Sequence, residues 1–222
     1  MSARACIAAA LTLVVAVFAA PAANAESPCA DLGGTVDAGT CEVHISTSGY
    51  TVDIRVPTDY PDQRAVFDAL TRERDGMADW YATYGADGRG RPYQLDISAQ
   101  SLRSSRTASL VLRADNDAGL ANQGHPDTTY TAFNYDLEAH TPITFETYFT
   151  PGAEAVLNPL VEREFGNRPG TPVRKLTAGT YRNFAITDDA VIFFFGQDEV
   201  IADHAGPHRL SVPRGQLAGV LA

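Results

Sequence analysis

Alternation of apolar and polar residues marks most of this chain as sheet. Val43 and Ile45 alternate with polar neighbours, and so do Tyr50, Val52, Ile54 and Val56, with Ser46-Thr47-Ser48-Gly49 between the two runs. This pattern predicts a β-hairpin with one buried face, ended by Pro57. The period then changes. After the boundary at Tyr60-Pro61-Asp62, residues Val66, Leu70, Met77, Trp80 and Tyr84 recur at helical spacing. A helix over 61–82 is expected, with Pro61 in its first turn and the Phe67/Leu70/Met77/Trp80 face turned inward. Ala86 to Arg91 forms a Gly-rich loop.

Alternation returns at Tyr93, Leu95, Ile97 and Ala99, and again at Ala108, Leu110, Leu112 and Ala114, with Val111 on the opposite face. Asp115 to Asp127 is a polar connection, and Thr128 to Leu137 is a strand rich in β-branched and aromatic residues. Ile143 and Phe145 follow a turn at Glu138–Thr141. Val156, Leu157, Leu160, Val161 and Phe165 predict a second helix ending at Gly166, where Pro159 either kinks the helix or starts it behind an Asn158 cap. Thr180–Thr187 and Ala190–Phe195 are expected to form a hairpin around Asp188-Asp189. His208–Pro213 is the last strand, and Gln216–Leu221 a short terminal helix. Strands dominate, connections are short and no βαβ rhythm is visible. The expected class is α+β with a mainly antiparallel sheet and two principal helices.

The first 25 residues stand apart from this pattern. Arg4 precedes an apolar run from Cys6 to Ala20, and Ala23-Asn24-Ala25 has the small residues of a peptidase site. That run is shorter than the ~20 residues a membrane span needs, so residues 1–25 are expected to be a secretory signal. No later run is long enough to span a bilayer. Residues 26–222 then form a single secreted domain with an N-terminal half, 26–115, and a C-terminal half, 116–222. Loss of the leader removes Arg4 and no acid, which moves the formal charge from −10 to −11.

Secretion also sorts the three cysteines. Cys6 leaves with the signal, and Cys29 and Cys41 remain as an even pair in an oxidising compartment. We expect a structural disulfide, contributing roughly 3 kcal/mol through loop closure. The spacing is not C-x-x-C, and Ser27-Pro28 does not suit a lipoprotein cysteine. The acid excess argues against nucleic acid and against anionic lipid surfaces.

No arrangement in the sequence specifies catalysis. There is no G-x-S-x-G elbow, and Ser46, Ser48, Ser98 and Ser101 read as polar strand or turn residues. No catalytic residue is assigned. His204 and His208 have zinc-like spacing, but Gly206-Pro207 breaks any helix between them. Asp115-Asn116-Asp117 starts like a calcium loop, yet the position that needs Glu is Pro126. No metal and no cofactor are expected. Asp188-Asp189 reads as an Asx turn. Tyr130 and Phe133 point to opposite faces of one strand, so one of them is a candidate for outward display.

Two segments are more specific. Gly124-His125-Pro126-Asp127-Thr128-Thr129-Tyr130-Thr131-Ala132-Phe133-Asn134-Tyr135-Asp136-Leu137 is the first. Asn183-Phe184-Ala185-Ile186-Thr187-Asp188-Asp189, with Ile192–Phe195, Ala205-Gly206-Pro207 and Val212-Pro213-Arg214, is the second. Together they resemble the secreted mycobacterial immunogenic antigen family (the MPT/MPB antigens) and the C-terminal domain of RsiV, a lysozyme-sensing anti-sigma factor. The Cys29/Cys41 pair and Tyr60-Pro61-Asp62-Gln63 resemble the mycobacterial branch. The resemblance implies an α+β fold with a β-grasp-like C-terminal part and a location outside the cell or in its envelope. It implies a binding protein. With the acid excess beside it, the expectation is a monomer whose acidic surface engages a basic protein such as lysozyme, or a host or envelope component. Some mycobacterial relatives carry an esterase label, so a weak envelope carboxylesterase is the alternative.

Overall fold

The computed structural model describes residues 27–85, 91–118, 126–166, 172–201 and 206–222. The expected leader 1–25, residues 86–90 of the Gly-rich loop, His125 and His204 lie outside the described residues. A short helix α1 (Pro28–Asp31) precedes β1 (Thr35–Asp37), β2 (Thr40–Ser46) and β3 (Tyr50–Pro57). Helix α2 (Gln63–Tyr84) then leads to β4 (Tyr93–Arg103), β5 (Thr107–Asn116), β6 (Asp127–Asp136) and β7 (Thr141–Ile143). The remainder comprises α3 (Phe145–Tyr148), α4 (Glu154–Phe165), β8 (Phe184–Ile186), β9 (Ala190–Phe195), β10 (His208–Pro213) and α5 (Arg214–Leu217).

The strands make a seven-stranded sheet in sequential order β1 to β7 and a three-stranded sheet in the order β10-β9-β8. The class is α+β and mainly antiparallel, as the alternation implied. One pair departs from that rule. β3 and β4 run parallel, because the 22-residue helix α2 carries the chain back across the sheet. A parallel pair needs a crossover of this kind, so a single βαβ unit sits inside an otherwise antiparallel sheet.

The alternating residues of the larger sheet point to a common inner face. Val43, Val52, Ile54, Val56, Leu95, Ile97, Leu110 and Leu112 are buried there against Val66, Leu70 and Met77 of α2. The helix begins at Gln63 behind the Asp62 cap, whose carboxylate accepts from the Ala65 amide. Pro61 therefore lies ahead of the cap and not in the first turn. Trp80 is only partly buried and packs edge-on against Tyr93, 4.5 Å between ring centres. The Cys29–Cys41 disulfide is formed, with Cα atoms 5.7 Å apart. It ties α1 to β2, and Gly34 lies so close that a Cβ there would meet the Glu42 carbonyl at 2.6 Å.

The smaller sheet lies on the outer face of the larger one. Ala185, Ile192 and Phe194 pack against Val111, with Leu102, Tyr130 and Ala132 around them. Its far side carries Phe184, Phe193 and Phe195 into a second core with Leu157, Val161 and Phe165 of α4. The order of layers is helix, sheet, sheet, helix. Burial on both sides explains why β5 is solidly buried from Thr107 to Leu112.

Three local expectations change. The terminal helix expected at Gln216–Leu221 is instead the single turn Arg214–Leu217, which starts directly where β10 ends. The chain at 178–181 is a 3-10 turn, because the Thr177 and Thr180 hydroxyls cap each other's backbone; only Phe184–Ile186 pairs as strand. Helix α4 runs from Glu154 through Pro159. Asn158 is thus no cap, and its side-chain oxygen accepts from the Tyr181 hydroxyl at 2.7 Å.

Candidate functional site

Where the smaller sheet stops, the outer face of the larger sheet is open. Strand register lays its side chains out in rows. One row runs His44, Asp53, Asp96, Asp115 and Thr128 across β2 to β6. The next runs Glu42, Arg55, Ser98, Arg113 and Tyr130. These residues are far apart in sequence, and only pairing across five strands makes them neighbours.

The first row is rich in carboxylates. Partial burial raises the Asp96 carboxyl above the usual range, and the nearby charges of Asp53, Asp115 and Asp117 add to that rise. Asp53 Oδ1 lies 2.7 Å from His44 Nδ1. Asp115 accepts a fork of bonds from Arg113 Nε and Nη2 at 2.8–3.1 Å and a further bond from the Thr128 hydroxyl at 2.5 Å. The polar connection expected from Asp115 onward therefore starts later: Asp115 and Asn116 are still strand, paired with β4 and β6.

The second row ends in a cleft of about 310 Å³ beneath the edge of the smaller sheet. Ser98, Gln100, Arg113 and Tyr130 come from the larger sheet, and Phe194 and Arg209 from the smaller. Tyr130 packs on Phe194 with ring centres 5.5 Å apart. Phe133 points the other way, onto Tyr60 at 6.3 Å. Both rings are only partly buried, and Tyr130 is the one on the cleft side.

An ester hydrolase of the serine type needs a hydroxyl in hydrogen-bond reach of an imidazole, itself held by an acid. His44 and Asp53 have the geometry of the second half of that arrangement. No serine completes it among the described residues. Ser98 is separated from His44 by β3 and one register step, on the order of 10 Å at ordinary strand spacing. Ser105 donates to Asp188 at 2.8 Å, Ser109 donates to Asn134 at 2.6 Å, and Ser104 pairs with Thr107 at 2.7 Å. Ser46 and Ser48 are exposed around the β2–β3 turn, where the Thr47 hydroxyl accepts the Gly49 and Tyr50 amides. Ser101 is exposed on β4.

Asp188 does not close its own turn as expected. The Thr187 hydroxyl does so by accepting from the Ala190 amide, while Asp188 reaches the Ser105 amide and hydroxyl, both at 2.8 Å. Those two bonds hold the Asp188 carboxyl below the usual range. Among the described residues, no group of three or more His, Cys, Asp or Glu is arranged to hold a metal ion. No helix among them is long and apolar enough to cross a membrane.

The two motif asparagines hold the sheets together. Asn134 Nδ2 donates to the Phe184 carbonyl at 2.8 Å, and Asn183 Oδ1 accepts from the Ala132 amide at 3.2 Å. Ser109 accepts from the Ile186 amide at 3.0 Å. The specific blocks in the sequence therefore build the joint between layers. The cleft residues Arg113 and Arg209 gave no signal of their own, because neither belongs to a motif or a periodic pattern.

Residues 147–215 match the family model described as a protein of unknown function, DUF3298. The chain is 40% identical over 95% of its length to the Mycobacterium tuberculosis protein named Esterase Rv3036c, covering 96% of it. It is 32% identical to Immunogenic protein MPB64 of Mycobacterium bovis and to Immunogenic protein MPT64 of M. tuberculosis. Those matches cover 87% of this chain and 88% of each relative. Among solved structures, a DUF3298 family protein from Pseudomonas aeruginosa is similar with a TM-score of 0.56 at 12% identity, over 82% of this chain and 92% of that one. A second, from Bacteroides fragilis, has a TM-score of 0.53 at 14% identity, over 85% and 94%. These two likenesses concern the fold alone.

Proposed function

Because the chain belongs to the family of the mycobacterial proteins named Esterase Rv3036c, MPT64 and MPB64, we propose that it is a secreted binding protein of that family. It uses the open, carboxylate-rich sheet face to engage a basic partner. The observation that carries this reading is the row Asp53, Asp96, Asp115. It stands exposed or half-exposed on three adjacent strands, where partial burial first and the neighbouring carboxylates next raise Asp96. Such a field steers encounter with a cationic protein more than it sets final affinity, and salt screens it. The Cys29–Cys41 disulfide supports a location outside the cytoplasm. The sequence resemblance to RsiV makes lysozyme the basic protein to try first.

The test is binding of immobilised lysozyme and of an unrelated basic protein at low and high salt, with the variant Asp53→Asn/Asp96→Asn beside the wild type. We expect association in dilute buffer that fades with salt and in the double variant. Absence of lysozyme binding removes that partner. Absence of binding to either basic protein removes the electrostatic reading.

A second reading, weak ester hydrolysis, is favoured by the name of the 40% identical relative, Esterase Rv3036c, and by the His44–Asp53 pair at 2.7 Å. Turnover of short p-nitrophenyl esters should then drop ~10²–10⁴-fold in His44→Ala, as for loss of a general base. Turnover unchanged in His44→Ala would disconnect that pair from any hydrolysis.

A further inference from the structure

We propose that the cleft between the two sheets binds a small monocarboxylate carried on a six-membered ring, with the carboxylate on Arg209 beside Arg113 and the ring face on Tyr130. The inference goes beyond the protein-binding reading above and does not depend on it. It rests on two register pairs that face each other. Arg113 and Tyr130 are partners on the outer face of the larger sheet. Arg209 and Phe194 are partners on the smaller sheet, where the burial of Phe194 shows that this side is turned toward the larger one. Both guanidinium charges are felt at the Tyr130 phenol, where they oppose the rise that burial causes in its ionisation. Two cations thus converge on one ring in a chain whose net formal charge is −10.

The two arginines differ in what remains of their bonding capacity. Arg113 is locked by the bidentate contact with Asp115, so it is rigid and largely neutralised. Arg209 is exposed, and its guanidinium makes no hydrogen bond or ion pair among the described residues. The local sum of Arg113, Arg209 and Asp115 is a single positive charge. Asp96 lies one register step away and adds negative potential. A monoanion is therefore favoured over a dianion such as phosphate, and a carboxylate matches the planar fork of Arg209. The floor is apolar, with Val111 and Phe194 nearly fully buried. Tyr130 supplies a ring face, and Ser98 and Gln100 supply hydroxyl and amide groups at the rim. This combination of a few placed polar groups over apolar walls is that of a small-molecule site.

The experiment is saturation-transfer NMR and calorimetric titration of the secreted chain at low salt. The probes are benzoate, glucuronate, methyl benzoate and inorganic phosphate. Binding of benzoate or glucuronate, weakened at least ten-fold in Arg209→Met and partly retained in Arg209→Lys, is the expected result. Which of the two binds better decides between an aromatic and a sugar ring. Arg209 is exposed and its guanidinium is unpaired among the described residues, so both variants should melt with the wild type. Binding of neither carboxylate at millimolar concentration would overturn the proposal. So would equal binding of methyl benzoate, wild-type affinity in Arg209→Met, or phosphate binding as tightly as the carboxylates. None of these results bears on binding of a basic protein.

Discussion

Over Thr107–Val111 of β5 the outer face of the large sheet is as dry as its inner face, while over β2 to β4 the same face is charged and wet. At the covered end Val111 meets Phe194 and Ala185, and every polar side chain that remains there is paired: Ser109 with Asn134, Asn134 with the Phe184 carbonyl, Asn183 with the Ala132 amide. At the open end Glu42, Asp96, Ser98 and Arg55 stand in solvent. One sheet thus serves as a packing surface and as a display surface, and the cleft lies at the border. The difference teaches where function has room. Buried polar groups must be satisfied internally, so the covered end is committed to structure and the open end is not.

The strongest way to break this contrast is to remove the smaller sheet's anchor. Phe193 is fully buried and touches the rings of Phe149, Tyr181, Phe184 and Phe195. Phe193→Ala should lose about 3–5 kcal/mol in urea unfolding. Loss of less than ~1 kcal/mol would mean that the second core is not what holds this sheet in place. The opposite end is addressed by Cys29→Ser/Cys41→Ser, expected to cost roughly 3 kcal/mol. Amide exchange should accelerate in β1 and β2 and stay unchanged in β9.

A smaller change targets the joint alone. Ser109→Ala leaves the Ile186 amide buried without its acceptor, at a cost of about 1–3 kcal/mol, with both apolar cores untouched. The smallest expected effect has the opposite sign. The carboxyl of Asp96 is raised in the fold, so ionising it opposes folding, and stability falls as pH rises through that raised value. Asp96→Asn should stabilise the protein by about a few tenths of a kcal/mol at neutral pH. The gain should vanish below the ordinary carboxylate range, where the wild-type group is protonated. A melting curve at each pH checks this, and a destabilised Asp96→Asn would show that the open face is not under charge repulsion.

Much of the layer structure was legible. Alternation located β2 and β3 because each has one buried face, the apolar run Val191–Phe195 located β9, which is buried on both faces, and helical spacing located α2 and α4. The parallel pairing of β3 with β4 was missed, since short connections elsewhere hid the one long crossover. The strand expected from Thr180 overran because the threonine residues there cap a turn. The candidate site was the least legible part. Its residues become neighbours only through register across five strands, and register is a property of pairing that no local pattern carries. The aromatic alternation at Tyr130 and Phe133 was the single trace of it, and it placed the two rings on opposite faces without saying what lay over either.

The edges of the large sheet have a consequence for the chain in company. A sheet with strands of up to eleven residues exposes a long template to any extended segment that meets its border. Here the outermost strands have three residues each, β1 along Thr40–Glu42 of β2 and β7 along Asn134–Asp136 of β6. One ends in Asp37 beside a turn with Ala38 and Gly39 at positive φ. The other carries Pro142, which has no amide to offer. Charge, brevity and a missing donor are the features that stop strand-by-strand growth. Where these two strands lie, a second copy of the chain meets no long row of open backbone groups on which to add a strand.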